Sequence, residues 1–246
     1  MIDRVSGITS RNGFPSTEWK VVLEARDDDS DGRAALGVLC RVYWYPVYAF
    51  VRGKVRDVHK AQDLTQGFFT HLLSNGVVAS ADQTRGRFRD FLLGCCRNYL
   101  KDHWKWFRSG QNGGGVNPLP LDFAAAEVRY RQSPAGPADP EREYTRLWAM
   151  QLLERTMGEL RTAYAAAGET ELFDRLARTL TDDAGAEKHV AIATSLGLTV
   201  DQMKKAASRL RAAFKAELYR QVGQTVLHPA DVAAEIRELF TAVNRC

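Results

Sequence analysis

The chain has 246 residues, of which 45% are hydrophobic and 26% charged, with a formal net charge of +4. That composition is ordinary for a globular protein and excludes wholesale disorder, and the length allows one or two domains. No apolar run reaches the ~18 residues of a membrane-crossing helix, and the opening MIDRVSGITS lacks the apolar stretch of a signal peptide. A cytoplasmic protein with no membrane partner is expected.

Apolar residues three and four apart recur along the first half and predict helices. Trp19, Val22 and Leu23 follow Ser16, an N-cap candidate. Leu36, Leu39, Cys40, Tyr43, Val47 and Phe50 form a second stripe, with Pro46 as an expected kink. Ala61, Leu64, Phe68 and Leu72 form a third, broadened by Phe69 and Leu73. Phe88, Phe91, Leu92, Cys95, Tyr99 and His103 form a fourth. No period-two strand pattern is visible. Residues 109–140 then carry five glycines and five prolines, a density that interrupts helix and predicts a linker, with a short helix around Asp122 to Tyr130. A second helical half follows over Leu147–Leu160, Glu169–Leu180, His189–Leu196 and Val200–Tyr219. A last amphipathic piece, Pro229–Val243, carries Val232, Ile236, Leu239 and Phe240. The fold class is all-α, with two helical domains joined by a Gly/Pro-rich linker.

Positive charge is concentrated in two places. Arg85–Arg108 holds seven basic residues against two acidic ones, and Gln202–Arg220 holds six against one. Within Lys188–Phe214, which leads into the second, Ala193, Gly197 and Met203 fit a helix-turn-helix. It needs a small residue where helices cross, a turn residue tolerant of positive φ, and an apolar plug opening the second helix. Met203, Ala207, Leu210 and Phe214 then face inward. Gln202, Lys204, Lys205, Ser208, Arg209 and Arg211 face outward as a recognition helix for duplex DNA.

The first basic segment interleaves Phe88, Phe91, Tyr99, Trp104, Trp106 and Phe107 with cations. That mixture suits single-stranded nucleic acid, where bases stack on aromatics and cations track phosphates. Phe88, Phe91 and Tyr99 are read as core. On the third helix Asp63, Gln66, Gly67 and Thr70 form a polar stripe, and its glycine permits close approach of a partner. Cys40, Cys95, Cys96 and Cys246 lack metal-ligand spacing and are read as free thiols. His59, His71, His103, His189 and His228 are scattered. No phosphate loop, nucleophile motif or metal ligand set is present, so the expectation is a non-enzyme without cofactor or metal.

Three stretches together resemble the extracytoplasmic-function type of bacterial RNA polymerase sigma factor. LCRVYWYPVYAFVRGKV (39–55) resembles the first region-2 helix, AQDLTQGFFTHLL (61–73) the core-polymerase-binding helix, and GRFRDFLLGCCRNYLKDHWK (86–105) the helix that opens and reads the minus-10 element. The likeness covers about residues 17–108 and 145–220, and GGGVNPLPLDF is similar to the long inter-domain segment of a divergent subgroup. It implies a region 2 domain at 17–108, a linker at 109–140 that threads the polymerase cleft, a region 4 domain at 141–222 with its helix-turn-helix at 188–219, and an extension at 223–246. It also implies core RNA polymerase and promoter DNA as partners. Asp63, Gln66, Phe69 and Thr70 would bind core polymerase. The loop 75–87 with Arg85, Arg87, Arg89, Asn98, Lys101, Trp104 and Lys105 would hold the opened promoter strand.

Two departures stand out. His59, Lys60, Ala61 and Gln62 precede Asp63 where the family usually carries acidic residues, and 169–187 is longer and more acidic than the usual approach to the helix-turn-helix. The first departure suggests conditional core binding, with Thr65, or else Thr70, as a site for a Ser/Thr kinase. An anti-sigma factor is the other regulatory partner considered. A stand-alone helix-turn-helix regulator and a sigma homologue that only sequesters an anti-sigma factor are the rival readings.

Overall fold

The computed structural model describes residues 19–27, 29–74, 76–107, 121–133, 139–181 and 186–244. Among them all extended regular structure is helical: α1 (Trp19–Glu24), α2 (Ser30–Lys54), α3 (Val58–Ser74), α4 (Phe88–Phe107), α5 (Phe123–Arg131), α6 (Pro140–Ala166), α7 (Thr170–Thr181), α8 (Ala186–Ser195), α9 (Val200–Gly223) and α10 (Val232–Asn244). The chain divides into two compact units, one from 14–151 with 221–246 and one from 152–220. The division falls within α6 and within α9, so it differs from the expected boundaries. Residues 141–151 and the extension after 220 belong with the first half.

In the larger unit α2 is the central helix. Asp29 caps it by accepting from the Gly32 amide at 2.8 Å. It runs through Pro46 and buries Leu39, Tyr43, Val47 and Phe50. Its length and hydropathy would suffice to cross a bilayer, unlike the expectation from unbroken runs, but 67% of the apolar window is buried inside the unit. Around it lie Trp19 of α1, Leu64 and Phe68 of α3, Phe88, Leu92 and Leu100 of α4, and Tyr144 and Trp148 of α6, all buried. Each such side chain contributes about 1.5–3 kcal/mol relative to exposure. Phe88 sets its ring edge-on to Trp19 and Tyr43, at 6.2 and 5.6 Å. The Trp148 indole donates to the Tyr43 hydroxyl at 3.1 Å, which satisfies a buried N–H.

The expected linker is in part a structural element. Residues 109–120 and 134–138 lie outside the described residues. Asp122 caps α5 by accepting from the Ala125 amide, and α5 packs on α2. Phe123 meets Trp44 and Tyr48. Glu127 accepts from the Tyr48 hydroxyl at 2.6 Å and from Arg52 at 3.1 Å. Burial pushes Glu127 upward, but the bonds from Arg52, Tyr48 and Arg131 outweigh it and hold the carboxyl below its ordinary value.

The smaller unit packs the second half of α6 with α7, α8 and α9. Its core is Leu160, Phe173, Leu176, Ala193, Met203, Ala207 and Leu210.

Candidate nucleic-acid interface

The α8–α9 corner is built by two local devices. Helix α8 ends in a Schellman turn: the Leu198 amide donates to the Ala193 carbonyl at 2.9 Å and the Gly197 amide to that of Thr194 at 3.2 Å. This closure needs a left-handed residue at its apex, and Gly197 supplies it at φ +65°. Two residues later α9 opens with a capping box. The Gln202 amide donates to the Thr199 hydroxyl at 3.2 Å, and the Thr199 amide donates to the Gln202 side-chain oxygen at 2.8 Å. Ala193 and Met203 are buried, as their roles at the crossing demand.

Met203, Ala207 and Leu210 turn inward from α9, and Lys204, Lys205, Ser208, Arg209 and Arg211 are exposed. The outward face expected from the sequence is present with one change of role. The Gln202 side chain is engaged in the cap rather than held out as a base reader. Further along, Arg220 is paired with Glu217 at 2.6 Å, and the exposed Lys215 lies 5.7 Å from the centre of the Tyr219 ring.

On α3 the expected polymerase-binding set separates. Asp63 is exposed and Gln66 and Thr70 are half-buried, but Phe69 is fully buried against Phe68. It is a core residue and cannot dock on a partner. Thr65 is also fully buried, and its hydroxyl donates to the Ala61 carbonyl at 2.7 Å. A kinase cannot reach it in the folded chain, which removes it as a phosphosite. Gly67 does permit a close approach, but of the chain's own Tyr99: a Cβ there would lie 2.3 Å from the Tyr99 hydroxyl oxygen.

The single-strand set is corrected more deeply. Arg85, Asn98 and Lys101 are exposed, and the side chains of Trp104, Lys105 and Trp106 lie outside the described residues. The loop before α4 is two short 3-10 turns, pinned by buried Val78 and Ala81. Arg87 and Arg89, however, are already paired with carboxylates of α10. Arg87 Nη1 meets Glu235 at 2.8 Å and its Nη2 meets Glu238 at 2.7 Å. Arg89 meets Glu235 through both Nη atoms and Glu238 at 3.1 Å. Arg89 is 2% exposed and Glu235 1%. The Arg89 guanidinium lies 4.8 Å over the Trp148 ring, and its carbonyl accepts from the Tyr144 hydroxyl at 3.0 Å.

Cys40, Cys95 and Cys96 are free thiols. Burial pushes Cys40 up to about 12 and Cys96 higher still, so neither has thiolate character at neutral pH. Cys246 lies outside the described residues. No protein-family model, curated protein or solved structure matches the chain.

Proposed function

We propose that this chain is a promoter-specificity factor of the sigma type. It brings core RNA polymerase to duplex promoter DNA and has no chemistry of its own. The observation that carries the duplex-binding part is the exposed Lys204, Lys205, Ser208 and Arg209 face of α9, held by the Gly197 turn over the Met203, Ala207 and Leu210 core. A second unit with exposed Asp63 on α3 supports the polymerase-binding part, together with the sequence resemblance of 61–73. Core polymerase would meet α3 through Asp63, Gln66 and Thr70. The test is capture of purified core polymerase by the wild type and by Asp63→Arg. Capture by the first and loss in the second support the reading; no capture by either defeats it.

One observation favours a second reading. Arg87 and Arg89, two of the residues that the resemblance assigns to the opened strand, are occupied by Glu235 and Glu238. A stand-alone helix-turn-helix regulator needs only the duplex face. Binding to a duplex site without any binding to core polymerase would select that reading.

A further inference from the structure

Two arginines at the start of α4 and two glutamates one helical turn apart on α10 form a closed lattice in which each arginine touches both carboxylates. The site is suited to an anion because guanidinium forks match phosphate and carboxylate oxygens alike. The seats a phosphodiester would take are filled by Glu235 and Glu238.

The cover is held firmly. Val232, Ile236 and Leu239 of α10 are buried, and the Trp19 amide donates to the Gln224 carbonyl in the segment leading to it. It also has an edge at which exchange can begin, because the Glu238 side chain is half exposed while Glu235 is sealed. Arg89 also has contacts that do not involve α10: its guanidinium lies over the Trp148 ring and its carbonyl accepts from the Tyr144 hydroxyl. Asp90 of α4 lies 3.6 Å from Arg89 Nε and 3.9 Å from Arg87 Nε, so an incoming strand competes with this carboxylate as well as with those of α10.

We infer that α10 is an intramolecular competitor for single-stranded nucleic acid. Its two carboxylates occupy the Arg87–Arg89 site, and the strand must displace the helix to bind there. The inference rests on the reading of the α4 segment as a single-strand contact. It adds a regulation to that reading: the site is closed until α10 is drawn away.

The test uses the full chain and a fluorescent single-stranded oligonucleotide. Glu235→Gln with Glu238→Gln keeps the shape of α10 and removes the competing charge. At low salt the double variant is expected to bind the strand at least about tenfold more tightly than the wild type, with the gain shrinking as salt rises. Adding Arg87→Ala should cancel it. Hydrogen exchange on the wild type is the second measurement and does not depend on the variant folding: the strand should deprotect the amides of 232–244 while those of α2 stay unchanged. Unchanged protection of α10 under saturating strand, or equal affinity in a folded double variant, overturns the inference. Duplex binding through Lys204 and Arg209 is followed in parallel. If it persists when the lock fails, the reading of α9 stands; if duplex binding is absent as well, the nucleic-acid reading of the whole chain falls.

Discussion

Gly67→Ala is a perturbation whose sign is set by one atom. Position 67 lies inside α3, where alanine is favoured over glycine by about 1 kcal/mol. The new methyl would lie 2.3 Å from the Tyr99 hydroxyl oxygen and 3.5 Å from the ring carbon that bears it. The first distance is a collision and the second an ordinary contact. Tyr99 cannot swing away freely, because its ring is flanked by Phe68 at 5.7 Å, His71 at 5.5 Å and His103 at 4.4 Å. Overpacking of this kind costs about 1–3 kcal/mol. Gly67→Ala alone should therefore lose up to about 2 kcal/mol after the propensity gain. In a Tyr99→Phe background the oxygen is gone, and the same change should gain about 1 kcal/mol. The coupling between the two positions is then about 1–3 kcal/mol. Urea midpoints at constant m-value, followed by far-UV circular dichroism, give the four corners of the cycle. Equal effects of Gly67→Ala in both backgrounds would refute the view that Tyr99 is what this glycine accommodates.

Met203→Ala should cost about 2–5 kcal/mol by emptying the smaller unit's core and abolish duplex binding with it. Gly197→Ala forces a side chain into the left-handed region and should destabilise the smaller unit by about 1–2 kcal/mol, read from its urea midpoint. Lys204→Ala and Arg209→Ala should leave melting unchanged, and a side chain that neutralises a phosphate should, when removed, reduce the salt slope of duplex binding by about one; unchanged slopes and affinities would make the basic face inert. Acid should loosen the larger unit. Glu238 is held low chiefly by the bond from Arg87 and Glu127 by the bonds that outweigh its burial. Both therefore contribute fully above their ordinary value near 4.5, and the contribution is lost as pH falls through the lower folded-state values. The urea midpoint should drop between about pH 6 and about pH 3, and less so in Glu127→Gln.

Much of this architecture is legible in local spacing. Ala61, Leu64, Phe68 and Leu72 face inward on α3, and the Ala193, Gly197 and Met203 pattern produces its turn because each requirement acts within ten residues. The same spacing also explains the departures. Thr65 stands four residues after Ala61 and Phe69 four after Thr65, which places both on the buried side. Thr199 and Gln202 have the spacing of a capping box, so the glutamine serves the helix start before any base. The partners of Arg87 and Arg89 are another matter. Glu235 and Glu238 lie about 150 residues away in sequence, and no local pattern announces a pairing made only when α10 folds back onto α4. Tyr99 filling the space above Gly67 is likewise a tertiary fact: the glycine signals a close neighbour without naming it.

Whether this chain carries core polymerase to promoters is tested most directly by run-off transcription with purified core enzyme and fragments of genomic DNA. Discrete transcripts that depend on the added chain are expected. They should disappear with Asp63→Arg and with the Lys204→Ala, Arg209→Ala pair, and stay unchanged in number with Arg220→Ala, whose charge is already balanced by Glu217. No chain-dependent transcript, with the wild type folded and core polymerase active with another specificity factor, would contradict the sigma-type reading.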